Sequence, residues 1–271
     1  MDGPTDAWTI TPAEDARPGA PSLVLIHGLG CSRVVWNGVC QGLRGRFRQI
    51  LPDLPGHGQA GASLYDPRRH RTLDGMAEFV AEVLDAAGLE SGACLVGHSV
   101  GCNLAWRVAL SRPRAVSHLV LVNPSPCFRN MPDYQGGFDH ADLLALLDLL
   151  EVNPSGWTER LAVLVGGEPG PASALLVENF CAVHPDCLRH FAAATFLADD
   201  RELLPRIPQP SLLLCNTADA LVPAAVVDVM AKSIPRVRTH LLPIAGHAAH
   251  ITHPAAVARA IIDFLGPTAD A

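Results

Sequence analysis

The sequence lacks both long hydrophobic runs and cysteines at metal-binding spacing. No stretch approaches about 18 consecutive apolar residues, so we expect no membrane-spanning helix. None of the eight cysteines occurs as Cys-x-x-Cys, and most lie in apolar runs. That pattern favours reduced core cysteines over disulfides or a zinc site, so we expect no metal.

Positive charge is also scarce. With 20 Lys and Arg against 27 Asp and Glu, the net charge of −7 argues against nucleic acid or an anionic membrane as partner. Residues 1–20 lack a basic start and an apolar core, so we do not expect a secretory signal, and the protein is expected to be cytoplasmic. With 271 residues and 49% hydrophobic side chains, the chain is sufficient for one large catalytic unit.

Short apolar runs alternate with helical patterns through most of the chain. This alternation predicts an α/β fold whose parallel sheet is covered on both faces. Helices are expected over 72–87, with Asp74 near the start and Gly88 at the end, and over 254–264. The predicted strands are 22–26, 49–51, 93–96, 119–123, 211–215 and 239–242.

The alternation stops between residues 127 and 198, where four helical segments follow one another without a strand. Proline and glycine separate the segments, which are 139–152, 155–165, 172–183 and 186–197. We interpret 127–198 as a helical cap inserted into a core formed by 1–126 and 199–271. Leucines cover more than one stripe of the first segment, which indicates either an apolar cavity on one side or packing within the cap.

The pentapeptide Gly97-His98-Ser99-Val100-Gly101 lies between a predicted strand and a predicted helix. A serine on such a turn presents its hydroxyl above the sheet edge, and the flanking glycines allow the backbone to turn without a Cβ clash. Alone, this Gly-x-Ser-x-Gly match is a weak signal, and the alternative interpretation is an ordinary glycine turn. The residues that follow the later strands make Ser99 a predicted nucleophile.

Asp219 and His247 follow the last two predicted strands. Serine needs a neighbouring base, and the base needs a third group that fixes its tautomer. The order Ser99, Asp219, His247 is the one found on α/β hydrolase scaffolds, with each residue at the carboxyl end of a strand. His250 is the second choice for the base. The other competing histidines are His98, His118, His240 and His253.

The loop His27-Gly28-Leu29-Gly30 after the first strong strand predicts an oxyanion hole. Two backbone N–H groups, of Leu29 and Val100, are expected to face the substrate carbonyl oxygen. A nucleotide site is disfavoured because the loop lacks the third glycine of Gly-x-Gly-x-x-Gly and has no Gly-Lys-Ser/Thr. We expect a mostly apolar substrate pocket. Its predicted lining is His98, Phe128, Phe138, Trp157, Leu161, Phe196 and Leu221.

Two stretches at the start of the cap resemble a known family. Residues 119–128 (LVLVNPSPCF) and 134–138 (YQGGF) look like the beginning of the cap in the α/β hydrolases that include the bacterial stress regulator RsbQ and the plant strigolactone and karrikin receptors. The similarity covers about residues 22 to 265. Other matching motifs are Tyr65-Asp66, TLDG at 72–75, GHSVG at 97–101, Gly156-Trp157, and Gly246-His247 with His250.

The resemblance implies an α/β-hydrolase fold with a mostly parallel, doubly wound sheet. It also implies that the four cap helices form a V over a small hydrophobic pocket, and that Ser99, Asp219 and His247 are the triad. The chain departs from the family pattern at Leu29, where relatives carry phenylalanine, and in the linker 166–171 (GGEPGP). Both departures affect the shape of the pocket.

We therefore expect a serine hydrolase that cleaves a small apolar ester or a butenolide-like lactone through an acyl-enzyme, without a cofactor. One alternative is a ligand-sensing signalling hydrolase with slow turnover, whose cap docks a protein partner. Another is a carbon-carbon bond hydrolase. Dehalogenases and epoxide hydrolases are disfavoured because they need a carboxylate at the position of Ser99.

Overall fold

One seven-stranded sheet organises the part of the chain that the computed structural model describes, residues 8–10 and 19–266. The strand order is β1-β3-β2-β4-β5-β6-β7. Strands β2 to β7 are parallel, as expected, and β1 is antiparallel to β3. The strands are β1 (Trp8–Ile10), β2 (Ser22–Ile26), β3 (Arg48–Pro52), β4 (Ala93–His98), β5 (Val116–Val122), β6 (Ser211–Ala218) and β7 (Val237–Ala245).

The central strands are buried on both faces. Every residue of β4 is buried, as are the last four residues of β2, because helices cover the sheet on each side. The helices flanking the sheet are α1 (Asn37–Leu43), α2 (Pro67–His70), α3 (Leu73–Ala86), α4 (Val100–Ser111), α9 (Ala224–Ser233), α10 (Ala249–Thr252) and α11 (Pro254–Leu265). The six predicted strands and the predicted helices over 72–87 and 254–264 are confirmed.

The four helices predicted for the cap are also present, and within the described residues 140–196 no strand separates them. They are α5 (His140–Val152), α6 (Pro154–Gly166), α7 (Pro171–Ala182) and α8 (Pro185–Phe196). The last three each begin with proline, whose fixed φ and missing N–H suit the first helical position. On α5, Leu143 and Leu150 are buried while Leu144 is 43% exposed, so this helix is apolar on more than its packed side.

Sequence patterns did not predict the edge strand β1 or the short helices α1, α2 and α10. Strand β1 pairs through Trp8 with Pro52 of β3. The expectation about a secretory signal in 1–20 falls mostly on residues outside the described ranges. Among the helices described, none is long and apolar enough to cross a bilayer.

Candidate active site

Ser99 lies alone between the end of β4 and the start of α4, at φ 53° and ψ −125°. This positive φ is unusual for a side chain other than glycine. Gly97 and Gly101 are required because there is no room for a side chain at either position. A Cβ on Gly97 would lie 2.5 Å from the backbone of Gly101, and one on Gly101 would lie 2.5 Å from the carbonyl oxygen of Ile26. The sequence therefore folds here into the strained turn expected from its glycine spacing.

Asp219 and His247 meet above the ends of β6 and β7. Oδ2 of Asp219 accepts a 2.7 Å hydrogen bond from Nδ1 of His247, and both side chains are 1% exposed. The other carboxylate oxygen accepts the N–H groups of Leu221 and Val222, at 2.8 and 3.2 Å. With Nδ1 donating to a fixed carboxylate, Nε2 of a neutral His247 is left with a lone pair that can take a proton.

Ser99 and His247 line the same small cavity beneath the cap. Within the described ranges, Nε2 of His247 has no hydrogen-bond partner, so no hydrogen bond joins it to the Ser99 hydroxyl. Hydrogen bonds between a nucleophile and its base are often long before substrate binds and shorten in the complex. The structure thus brings the three predicted groups to one site. We expect the hydrogen bond between Ser99 and His247 to form when substrate binds.

The cavity has about 30 Å³ of room for the centres of water molecules and is mostly apolar. Five of the seven predicted lining residues are on its wall: His98, Phe128, Leu161, Phe196 and Leu221. We also expected Phe138 and Trp157 there, and the structure places both elsewhere. Trp157 is fully buried with its ring 5.7 Å from that of Phe180, and Phe138 lines a separate groove.

Four lining residues were missed from the sequence: Cys31, Val165, Phe180 and Thr195. Phe180 approaches the loop after β2 so closely that a Cβ on Gly30 would lie 1.8 Å from its ring. Gly30 also has φ +68°. In the sequence, Gly30 alone indicated that another group packs closely against this loop. It could not indicate that the group is Phe180 of the cap.

A larger groove lies on the outside of the cap between α5 and α6, with about 370 Å³ of room by the same measure. Leu161 lines both this groove and the cavity, so its side chain belongs to the wall between them. The groove also contains Leu146 and Leu149 of α5. The groove thus explains why α5 is apolar on two sides. From the sequence, either a cavity or packing within the cap could have been the reason.

The two N–H groups predicted for the oxyanion hole are free of other hydrogen bonds within the described residues. Leu29 lies on the cavity wall. Val100 is the first residue of α4, where N–H groups have no partner inside the helix and the helix dipole is positive. Both groups are therefore able to donate to a developing negative charge.

The competing histidines differ from His247 in their surroundings. His250 is fully buried and is not on the cavity wall. Its ring is tilted against two others, with centroids 4.0 Å from that of His98 and 4.6 Å from that of Trp36. Burial lowers the pKa of His250 to about 3 and that of His98 well below its ordinary value. His118 is half-buried against Phe264, while His240 and His253 are exposed. None of these three lines the cavity.

Comparison with known proteins identifies the family. The sequence model of the alpha/beta hydrolase family matches residues 23–260. The chain belongs to the alpha/beta hydrolase family. It is 32% identical over 240 residues to the pimeloyl-[acyl-carrier protein] methyl ester esterase of Nitrosomonas europaea, covering 86% of this chain and 91% of that protein.

Two further similarities concern a receptor and a solved structure. This hydrolase is 29% identical over 221 residues to karrikin insensitive 2 receptor CA of Petunia hybrida, covering 80% of each chain. The structure of a hydrolase from Oleispira antarctica superimposes with a TM-score of 0.91 at 32% identity, covering 96% of this chain and 95% of that one. The family resemblance found in the motifs is confirmed, and the chain is an α/β-fold serine hydrolase.

Proposed function

We propose that this hydrolase cleaves small hydrophobic esters or lactones, with Ser99 as nucleophile, His247 as base and Asp219 as the residue that orients the base. The observation that carries the proposal is the 2.7 Å Asp219–His247 hydrogen bond beside a cavity that also contains Ser99. The apolar wall formed by Phe128, Leu161 and Phe196 favours an uncharged substrate. Relatives named as esterases support the same class of substrate.

In the proposed reaction, the Ser99 oxygen forms a bond to the substrate carbonyl carbon while Nε2 of His247 takes the hydroxyl proton. The N–H groups of Leu29 and Val100 bind the oxyanion. The bond to the leaving oxygen then breaks as His247 returns the proton to it. Water attacks the acyl-enzyme by the same route in reverse, which restores the serine.

The experiment is hydrolysis of short-chain nitrophenyl esters and of a butenolide lactone by wild type and Ser99→Ala. Ser117→Ala is the matched control, because Ser117 lies near the start of β5, at the opposite end of the sheet. We expect Ser99→Ala to lose at least about a thousandfold in kcat while Ser117→Ala keeps wild-type turnover. Unchanged turnover in Ser99→Ala would reject the assignment.

A second candidate function is ligand sensing with slow turnover, in which the cap responds to the content of the cavity. The observation that favours it is Val165, which lines the cavity and whose carbonyl oxygen accepts the N–H of His247 at 2.8 Å. A receptor is also among the relatives. Intact-protein mass spectrometry during hydrolysis separates the two functions. Release of one product equivalent with a persistent adduct supports sensing, whereas steady turnover without an adduct supports a metabolic esterase.

A further inference from the structure

Asn123 shares an unusual backbone conformation with Ser99. They are the two residues other than glycine with positive φ in the described ranges, at 48° and 53°. Each follows the end of a central strand, β5 and β4, and the N–H of Ser99 donates 3.0 Å to the carbonyl of Val122, the residue before Asn123. Asparagine adopts this conformation more readily than most residues, yet such outliers concentrate where structure serves a function.

The Asn123 side chain, which is buried, bridges two elements of the site. Its Nδ2 donates a 2.6 Å hydrogen bond to the carbonyl oxygen of His247, and its Oδ1 accepts the N–H of Asn216 at 2.8 Å. Because one partner is an acceptor and the other a donor, the two contacts settle which end of the amide carries nitrogen. The amide therefore links the end of β6 to the backbone of the proposed base.

Other groups hold the same loop, but differently. Nε2 of His98 donates to the same His247 oxygen at 3.0 Å, and Nδ2 of Asn216 donates to the carbonyl of Gly246 at 2.8 Å. His98 is also part of the cavity wall, whereas Asn123 is not. Asn123 is thus a side chain that contacts the His247 backbone without belonging to the wall of the substrate cavity.

We propose that Asn123 is a positioning residue for His247, which holds the carbonyl of residue 247 so that the imidazole points at Ser99. This inference rests on the proposed roles of Ser99 and His247. The carbonyl carbon is bonded to the same Cα that carries the imidazole, so fixing it limits rotation of that Cα relative to the sheet. A displacement of about 1 Å between reacting groups lowers rates by as much as about a hundredfold.

The test compares Asn123→Gly with Asn123→Asp. Glycine removes the amide and accepts φ 48° without strain, so it isolates the loss of the side chain. Aspartate keeps an acceptor for the N–H of Asn216 but directs a carboxylate oxygen at the His247 carbonyl. Asn130 provides the matched control, because its amide also donates to one oxygen, of Asp139, and accepts one N–H, of Gly137. Among the described residues, none of the hydrogen bonds of Asn130 reaches residues 246–248.

We expect both Asn123 variants to lose about tenfold or more in kcat with KM within about twofold, and to react more slowly with a fluorophosphonate that labels Ser99. Asn130→Gly should show none of these changes. In proton NMR, the His247 Nδ1–H resonance should shift or broaden in the Asn123 variants alone.

Wild-type kcat and labelling rate in folded Asn123→Gly would overturn the proposal. Should that variant fail to fold, Asn123→Asp carries the same kinetic and NMR criteria. Failure of the proposed function gives a different pattern, in which Ser99→Ala keeps its turnover and wild-type Ser99 is not labelled by the fluorophosphonate.

Discussion

The backbone N–H of His247 donates a 2.8 Å hydrogen bond to the carbonyl oxygen of Val165, the penultimate residue of cap helix α6. The next N–H, of Ala248, donates to the same oxygen at 3.1 Å. Carbonyl groups in the last turn of a helix have no partner inside it, so the histidine loop satisfies one of them. The cap and the proposed base are therefore joined directly through the backbone.

Changing the glycine linker after α6 should disturb this connection. Gly167 has φ +89°, and a Cβ there would lie 3.2 Å from Cα of Gly246. We expect Gly167→Ala to move the end of α6 from the histidine loop and to lower kcat by about three- to tenfold. In the same linker, Gly170 has open space around its Cα, so Gly170→Ala is the control and should keep wild-type kcat. Equal kcat values for the two variants would contradict a role for this contact.

Leu161 should limit the length of the substrate, because it lies in the wall between the cavity and the outer groove. We expect Leu161→Ala to join the two spaces and to raise kcat/KM for octanoyl relative to acetyl nitrophenyl ester by about tenfold. The variant should also lose about 2 to 5 kcal/mol of unfolding free energy, as buried leucines do. Leu164→Ala is the control, since Leu164 lines the groove but not the cavity. An unchanged chain-length preference in Leu161→Ala would contradict this assignment.

Asp200 should contribute to stability far more than Asp74, although both contact Arg107. Asp200 is buried and accepts hydrogen bonds from Arg107, Asn103 and Trp106, whereas the Asp74 side chain is 85% exposed. We expect Asp200→Asn to lower the unfolding free energy by about 3 to 5 kcal/mol, because it removes the buried carboxylate and leaves Arg107, among the described residues, with only the exposed carboxylate of Asp74 as counter-ion. Asp74→Asn should change it by less than about 1 kcal/mol. Urea denaturation measures both, and similar losses would show that burial does not decide the difference.

Buried histidines should make the fold sensitive to acid. Burial lowers the pKa of His27 to about 4 and those of His57 and His250 to about 3. Between pH 6.5 and these values the unfolded chain binds protons that the folded chain does not, so stability falls as pH falls. Each such histidine contributes up to about 1.4 kcal/mol per pH unit.

Urea denaturation of His250→Gln at pH 7 and pH 5 checks this prediction. The difference in unfolding free energy between the two pH values should be smaller in the variant than in wild type. His240→Gln, at an exposed site on β7, should keep the wild-type difference. If His250→Gln keeps it as well, His250 is not a source of the acid sensitivity.

The sequence predicted the sheet and the placement of Ser99, Asp219 and His247, because each depends on local signals. Apolar strand runs, turn glycines and the position of each of the three residues just after a strand are all visible along the chain. It could not predict the wall of the cavity in the same detail. Phe180 and Val165 lie on cap helices whose rotation is set by tertiary packing, and an apolar pattern on all sides of a helix does not define a single face.

The same limit explains the two misplaced residues and the missed positioning contact. Trp157 on α6 and Phe138 just before α5 are large apolar residues close in sequence to residues of the cavity wall. Packing nevertheless places Trp157 against Phe180 and Phe138 in the outer groove. The Asn123–His247 hydrogen bond joins residues 124 positions apart, and nothing local distinguishes Asn123 from a turn residue. The three-residue strand β1 is too short to show a period.

The small size of the cavity has a kinetic consequence. About 30 Å³ of room for water centres admits one or two water molecules, which is less than an ester needs. We therefore expect side chains of the cap to move as substrate enters, and motions of that kind take microseconds to milliseconds. The rate of product formation should then depend on the friction of the solvent. Raising viscosity with sucrose should slow the hydrolysis of short esters by wild type and have less effect on a Leu161→Ala variant whose cavity is already open.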